Sequence, residues 1–83
     1  HEKTIKIHIS NVSEELKSKL STIPECQIKL EPEPTVIINS TKSEIVLMNI
    51  LKILNETDTK INDLYAIPTN LEDIFIKVVS DSN

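Results

Sequence analysis

Glycine is wholly absent from this chain of 83 residues. The phosphate-cradling loops, dinucleotide fingerprints and nucleophile elbows that need a residue without a Cβ are therefore excluded. A tight turn at positive φ must instead use Asn or Asp, and Asn11, Asn39, Asn62 and Asp63 stand at expected element boundaries. Arginine is missing too, and the nine basic residues, all lysine, are spread along a chain of net charge -4. That argues against a nucleic-acid footprint and a polybasic membrane surface, and it nearly excludes an acylphosphatase-like enzyme, which needs an Arg to hold phosphate. The single cysteine, Cys26, rules out an internal disulfide framework and fits a reducing compartment. No apolar run approaches the ~20 residues that span a bilayer, and no charged-then-apolar leader opens the chain. A soluble, cytoplasmic chain is expected. His1 comes first and Met48 is the only methionine, so the expectation is a piece excised from a longer protein. With 39% hydrophobic residues, it suits one small domain.

The residues that are present alternate between two periods. TIKIHIS, residues 4–10, sets Ile5, Ile7 and Ile9 against Thr4, Lys6 and His8, the pattern of a half-buried strand. Val12, Leu16, Leu20 and Ile23 then recur at helical spacing, with acids early, lysines late, Asn11 or Ser13 as cap and Pro24 as stop. CQIKLEPEP alternates again, placing Cys26, Ile28 and Leu30 inward before Pro32 and Pro34 break the ladder. In TVIINS the run Val36, Ile37, Ile38 is apolar on both faces, which predicts a strand inside the sheet. The next stretch, TKSEIVLMNILKILNE, is the strongest helix, with a Thr41-x-x-Glu44 capping box and a stripe of Val46, Leu47, Ile50, Leu51 and Leu54. Ile45, Met48 and Ile53 widen the stripe beyond one packing surface. INDLYAIP reads as a fourth strand, and Thr69-x-x-Glu72 caps a last helix.

This order predicts an α+β, ferredoxin-like βαββαβ fold: a four-stranded antiparallel sheet, plus an extra C-terminal helix, in a single domain over residues 1–83. Two helices then cover one face, and Lys6, His8, Gln27 and Lys29 lie on the other.

Candidate chemistry is sparse. His8 lies on the polar face and His1 at a terminus, with no HxxxH, CxxC or HxxE spacing, so no metal site is predicted. Cys26 begins an apolar alternation and reads as a small hydrophobe rather than a nucleophile. The pairs Glu14/Glu15 and Glu72/Asp73 fall in helix first turns, where negative charge complements the dipole, and Glu31/Glu33 flank a proline turn. Three N-x-[ST] triplets, at Asn11, Asn39 and Asn55, coincide with expected caps or helix ends. No catalytic residue or cofactor ligand is predicted.

The last predicted helix carries Leu71, Ile74, Phe75, Val78 and Val79 at i, i+3, i+4, i+7, i+8, with Glu72, Asp73 and Lys77 facing away and Ile76 outside the stripe. Such a face either covers the domain's own core or, together with Ile76 and the overflow of the second helix, forms a protein interface. The string IPTNLEDIFIKV, residues 67–78, resembles the closing signature of bacterial ABC transporter ATP-binding subunits of the ABC-2 export type. Pro68, Leu71, Glu72, Asp73, Ile74 and Phe75 carry the likeness, with Thr69 and Asn70 inserted where many members have a shorter approach. The resemblance implies a non-catalytic accessory or regulatory domain that follows an ATPase domain. ATP, Mg and the Walker motifs would then belong to the upstream part of the parent chain. The implied partners are that ATPase domain, the second ATPase subunit and, indirectly, a membrane permease, at the inner face of the cell membrane; a homodimer is the further possibility. The alternative expectation is a free-standing ferredoxin-like ligand-sensing or dimerisation module.

Overall fold

The computed structural model describes residues 2–68. The elements run β1 (Lys3–Ser10), α1 (Glu14–Leu20), β2 (Cys26–Lys29), β3 (Thr35–Ser40), α2 (Ser43–Glu56) and β4 (Lys60–Pro68). The four strands form one sheet in the order β2-β3-β1-β4, with each neighbouring pair antiparallel. This is the ferredoxin-like strand order, and the α+β expectation holds. The expected C-terminal helix lies outside the described residues.

Alternation in β1 explains why it sits at the centre. Ile5, Ile7 and Ile9 are all buried, Ile5 and Ile7 opposite Ile38 and Val36 of β3, while Thr4, Lys6 and His8 turn to the other face. Leu16 and Leu20 from α1 and Val46, Ile50 and Leu54 from α2 complete the core. Each such side chain contributes about 1.5 to 3 kcal/mol on burial. β3 pairs on both sides, as its two-faced apolar run predicts. Ile37 is its open-face residue and stays half-buried.

The helix ends show how a chain without glycine manages its turns. Ser13 caps α1, its hydroxyl accepting from the Leu16 amide at 3.1 Å. Asn11 takes φ of 65° just before it, as expected of an Asn in the left-handed region. Asn39, Asn62 and Asp63 do not: all three are strand residues, and the other positive φ belongs to Asp58 at 54°. Asp58 follows α2, where the Thr59 amide donates to Leu54 O at 2.9 Å and the Asp58 amide to Asn55 O at 3.3 Å. Those two bonds are a Schellman closure, made here with Asp in the place glycine usually takes.

Four local expectations are corrected. The Thr41-x-x-Glu44 box does not form: α2 starts at Ser43, its N-cap Lys42 makes no side-chain cap bond, and the Ser40 hydroxyl accepts the Lys42 amide at 2.9 Å. Glu44 instead reaches Lys3 Nζ at 2.9 Å. Pro24 does not end α1, which stops at Leu20 through a turn capped by Ser21. Leu30 lies beyond β2 and is 44% exposed, because the pairing with β3 ends at Lys29 opposite Thr35. Asn39, expected at a cap or helix end, lies in β3, where its side-chain Oδ1 accepts from the Thr4 hydroxyl at 3.4 Å.

Leu16 is fully buried beneath α1. Leu16→Ala is expected to cost roughly 2 to 5 kcal/mol in urea unfolding. Ser43 Oγ is buried without a hydrogen-bond partner among the described residues. Ser43→Ala is expected to leave stability unchanged or raise it by up to about 1 kcal/mol, since no bond is lost and helix propensity improves; a clear loss in the same assay contradicts that reading.

Candidate contact surfaces

The sheet face away from the helices gathers the polar residues the alternation assigns to it. His8 stands opposite Thr35 on one side and Asp63 on the other, and Lys6 opposite Ile37 and Tyr65. A small depression of about 160 Å³ lies here, walled by Lys6, His8, Lys29, Glu33, Thr35 and Tyr65 among others. Its hydrogen bonds run in one direction. Thr35 donates its hydroxyl proton to Glu33 O at 2.9 Å, so Thr35 Oγ1 accepts from His8 Nδ1–H at 3.0 Å. His8 Nε2 is then the acceptor for the Tyr65 hydroxyl at 3.3 Å, with the two rings 5.6 Å apart. Glu33 Oε1, 3.6 Å from Nδ1, is too far for a hydrogen bond in this state. Both ring nitrogens are thus engaged, and the array ties β1 to its two neighbours rather than presenting a free base.

A second hollow, about 340 Å³, lies at the β2 edge among Pro24, Glu25, Cys26, Gln27, Ile37 and Asn39. Cys26 is half-buried, its Sγ 3.6 Å from Leu20 O, and it packs against the core as the alternation predicts. Burial pushes its thiol pKa up, and the neighbouring Glu25 carboxylate adds to the shift. Among the described residues no group of three or more His, Cys, Asp or Glu is placed to hold a metal ion. No described helix is long and apolar enough to cross a membrane.

The helix side shows a different surface. On α2, Ile45 is 60% and Met48 70% exposed, whereas Ile53, from the same overflow, packs against the core. On β4, Ile61 stands opposite Ile9, Leu64 opposite Ile7 and Ala66 opposite Ile5, all on the helix-side face. Ile61 and Leu64 are three residues apart and would point to opposite faces of a regular strand. The register shift between His8 and Ile9 inserts Asn62 as an extra residue, and this β-bulge brings both onto one face. They remain 40% and 41% exposed. The signal for this strip is in the sequence only as a mixed period, so alternation alone misses it.

Leu71, Ile74, Phe75, Ile76, Val78 and Val79, the predicted interface residues, lie outside the described residues. Comparison of the chain with family models, with curated proteins and with solved structures finds no match.

The Cys26 environment sets its reactivity. With the folded pKa raised, the thiolate is scarcer than in an unfolded chain at the same pH. The thiol form's contribution to stability is fully present below the unfolded pKa and is lost as pH rises through the folded one. Iodoacetamide labelling of the native chain near pH 8 is expected to be several-fold slower than in urea, and Glu25→Gln to relieve only the smaller part of the shift. Equal rates in the two states contradict this environment.

Proposed function

We propose that this chain is a non-catalytic accessory domain that works by protein–protein contact, of the kind that follows the ATPase domain in ABC-2 type exporters. The observation that carries the contact reading is the crest of α2, where Ile45 and Met48 stand well exposed on a helix whose opposite side is sealed into the core. An apolar crest of this kind favours a partner surface over water. The terminal string Pro68, Leu71, Glu72, Asp73, Ile74, Phe75 supports the exporter context. In that context the domain packs on its own upstream ATPase domain or the second ATPase subunit, and influences how the two halves close. ATP and Mg then bind upstream, the permease is an indirect partner, and the domain is cytoplasmic and peripheral at the inner membrane face. Self-association through the same crest makes a homodimer the simplest variant of the same reading.

The alternative, a free-standing ligand-sensing or dimerisation module, would use the open sheet face or the β2 edge for its ligand. The depression of about 160 Å³ beside His8 is smaller than the ~300 to 1,000 Å³ typical of small-molecule sites. The hollow of about 340 Å³ lies at a sheet edge and presents mostly polar surface, from Glu25, Gln27 and Asn39. The contact reading is therefore preferred.

Two measurements test it. The reading frame upstream of His1 is expected to encode a Walker A motif, and its absence sinks the exporter context. The double substitution Ile45→Glu, Met48→Glu is expected to leave the melting temperature within a few degrees of the parent while weakening docking to that ATPase domain at least tenfold in sedimentation. Unchanged docking removes the crest as the contact surface.

A further inference from the structure

We infer that the depression on the open sheet face binds a small zwitterion, a free amino acid of about the size of alanine, with Lys6 and Lys29 taking its carboxylate and Glu31 and Glu33 its ammonium group. This goes beyond the contact reading and does not rest on it, because the open face is the side of the sheet away from α2.

The charges come from two parts of the chain. Lys6 of β1 stands opposite Ile37 of β3, and Lys29 of β2 stands opposite Thr35, so the two lysines rise from the sheet on either side of β3. Two strand spacings separate them by about 10 Å across the sheet. Glu31 and Glu33 follow β2 in the loop that Pro32 and Pro34 stiffen, and they wall the same depression. Among the described residues Lys6, Lys29 and Glu31 form no ion pair, and Glu33 approaches only His8, at 3.6 Å. Lys6 is half-buried, in a chain of net charge -4, and has still found no carboxylate. A partly buried cation without a partner is costly.

The two signs together select the ligand. A simple anion satisfies the lysines and is repelled by the glutamates, and a simple cation does the reverse. A molecule with both charges meets all four groups. Volume narrows the class further, since about 160 Å³ set against a water's share of ~30 Å³ in the liquid leaves room for about five or six non-hydrogen atoms, the size of glycine or alanine. Drug-sized molecules are excluded. The floor is already ordered: Thr35 and Tyr65 hold both ring nitrogens of His8, so the imidazole does not compete for the ligand's charges. Ile37 and the Tyr65 ring offer apolar surface to the methyl group of alanine. Because the four charges are largely open to water, the affinity is weak, in the millimolar range.

The test uses the full chain. Tyr65 is its only tyrosine, so the tyrosine ring signals in a proton NMR spectrum report this face alone. Titration with alanine at neutral pH is expected to shift them with a Kd on the order of millimolar, while acetate and methylammonium, each carrying one of the two charges, bind at least tenfold more weakly. Lys6→Gln and Glu31→Gln are each expected to weaken alanine binding about fivefold or more, with Tm within a degree or two of the parent. No shift at tens of millimolar alanine, acetate binding as tightly as alanine, or variants that bind like the parent overturns the inference. The Ile45→Glu, Met48→Glu chain is expected to bind alanine unchanged, so the contact proposal and this one fail separately.

Discussion

Every part of this molecule depends on the three isoleucines of β1. The strand pairs on both sides, so its inward face is the middle of the apolar layer on which, among the described residues, α1 and α2 pack. Ile7 is wholly excluded from solvent and Ile5 and Ile9 nearly so. A domain of this size buries too little surface to support a second core, so these contacts dominate the favourable side of folding. The same strand sets the outward array: with Ile7 and Ile9 inward, His8 between them must face outward, where Thr35 and Tyr65 meet its two nitrogens.

The β-bulge at Asn62 is the second determinant, and it acts on the edge strand alone. A single extra residue shifts Ile61 into phase with Leu64 and Ala66, while Asp63, Tyr65 and Ile67 take the open face. The result is an edge whose helix side is apolar and unsealed by α2. A bulge also twists an edge strand and discourages indiscriminate pairing with another sheet. At the opposite edge, β2 is only four residues long and is followed by Pro32 and Pro34, which give a further chain little to pair with. Both edges are thus poor templates for a further strand.

The electrostatics are local and solvent-screened. Lys3–Glu44 links β1 to α2, whereas Lys17–Glu14 and Lys19–Glu15 lie within α1; all three are surface pairs that contribute little to stability. Glu44 is the instructive case. Its hydrogen bond from Lys3 holds its pKa below the usual carboxylate range, and the same bond takes it away from the capping role that its spacing from Thr41 suggests. A cross-element partner took the place of the local one, and at this helix start the Ser40 hydroxyl accepts the Lys42 amide.

The order of strands and helices, the inward set of β1, the interior place of β3 and the polarity of the open face were all legible in the sequence, because each follows from a period of two or 3.6 that burial on one face enforces. The cap of α1 was legible only as a choice between Asn11 and Ser13; the structure uses Ser13, which bonds within its own first turn, and puts Asn11 in the left-handed turn before it. What only the tertiary structure decided concerns partners far apart in the chain. The use of Asp58 to close α2, the capture of Glu44 by Lys3 and the meeting of His8 with Tyr65 each depend on pairings set by the whole sheet. Above all, the phase of β4 was decided there, since a bulge exists only relative to the strand it faces, and a one-residue shift changes which side chains a sheet hides and which it offers.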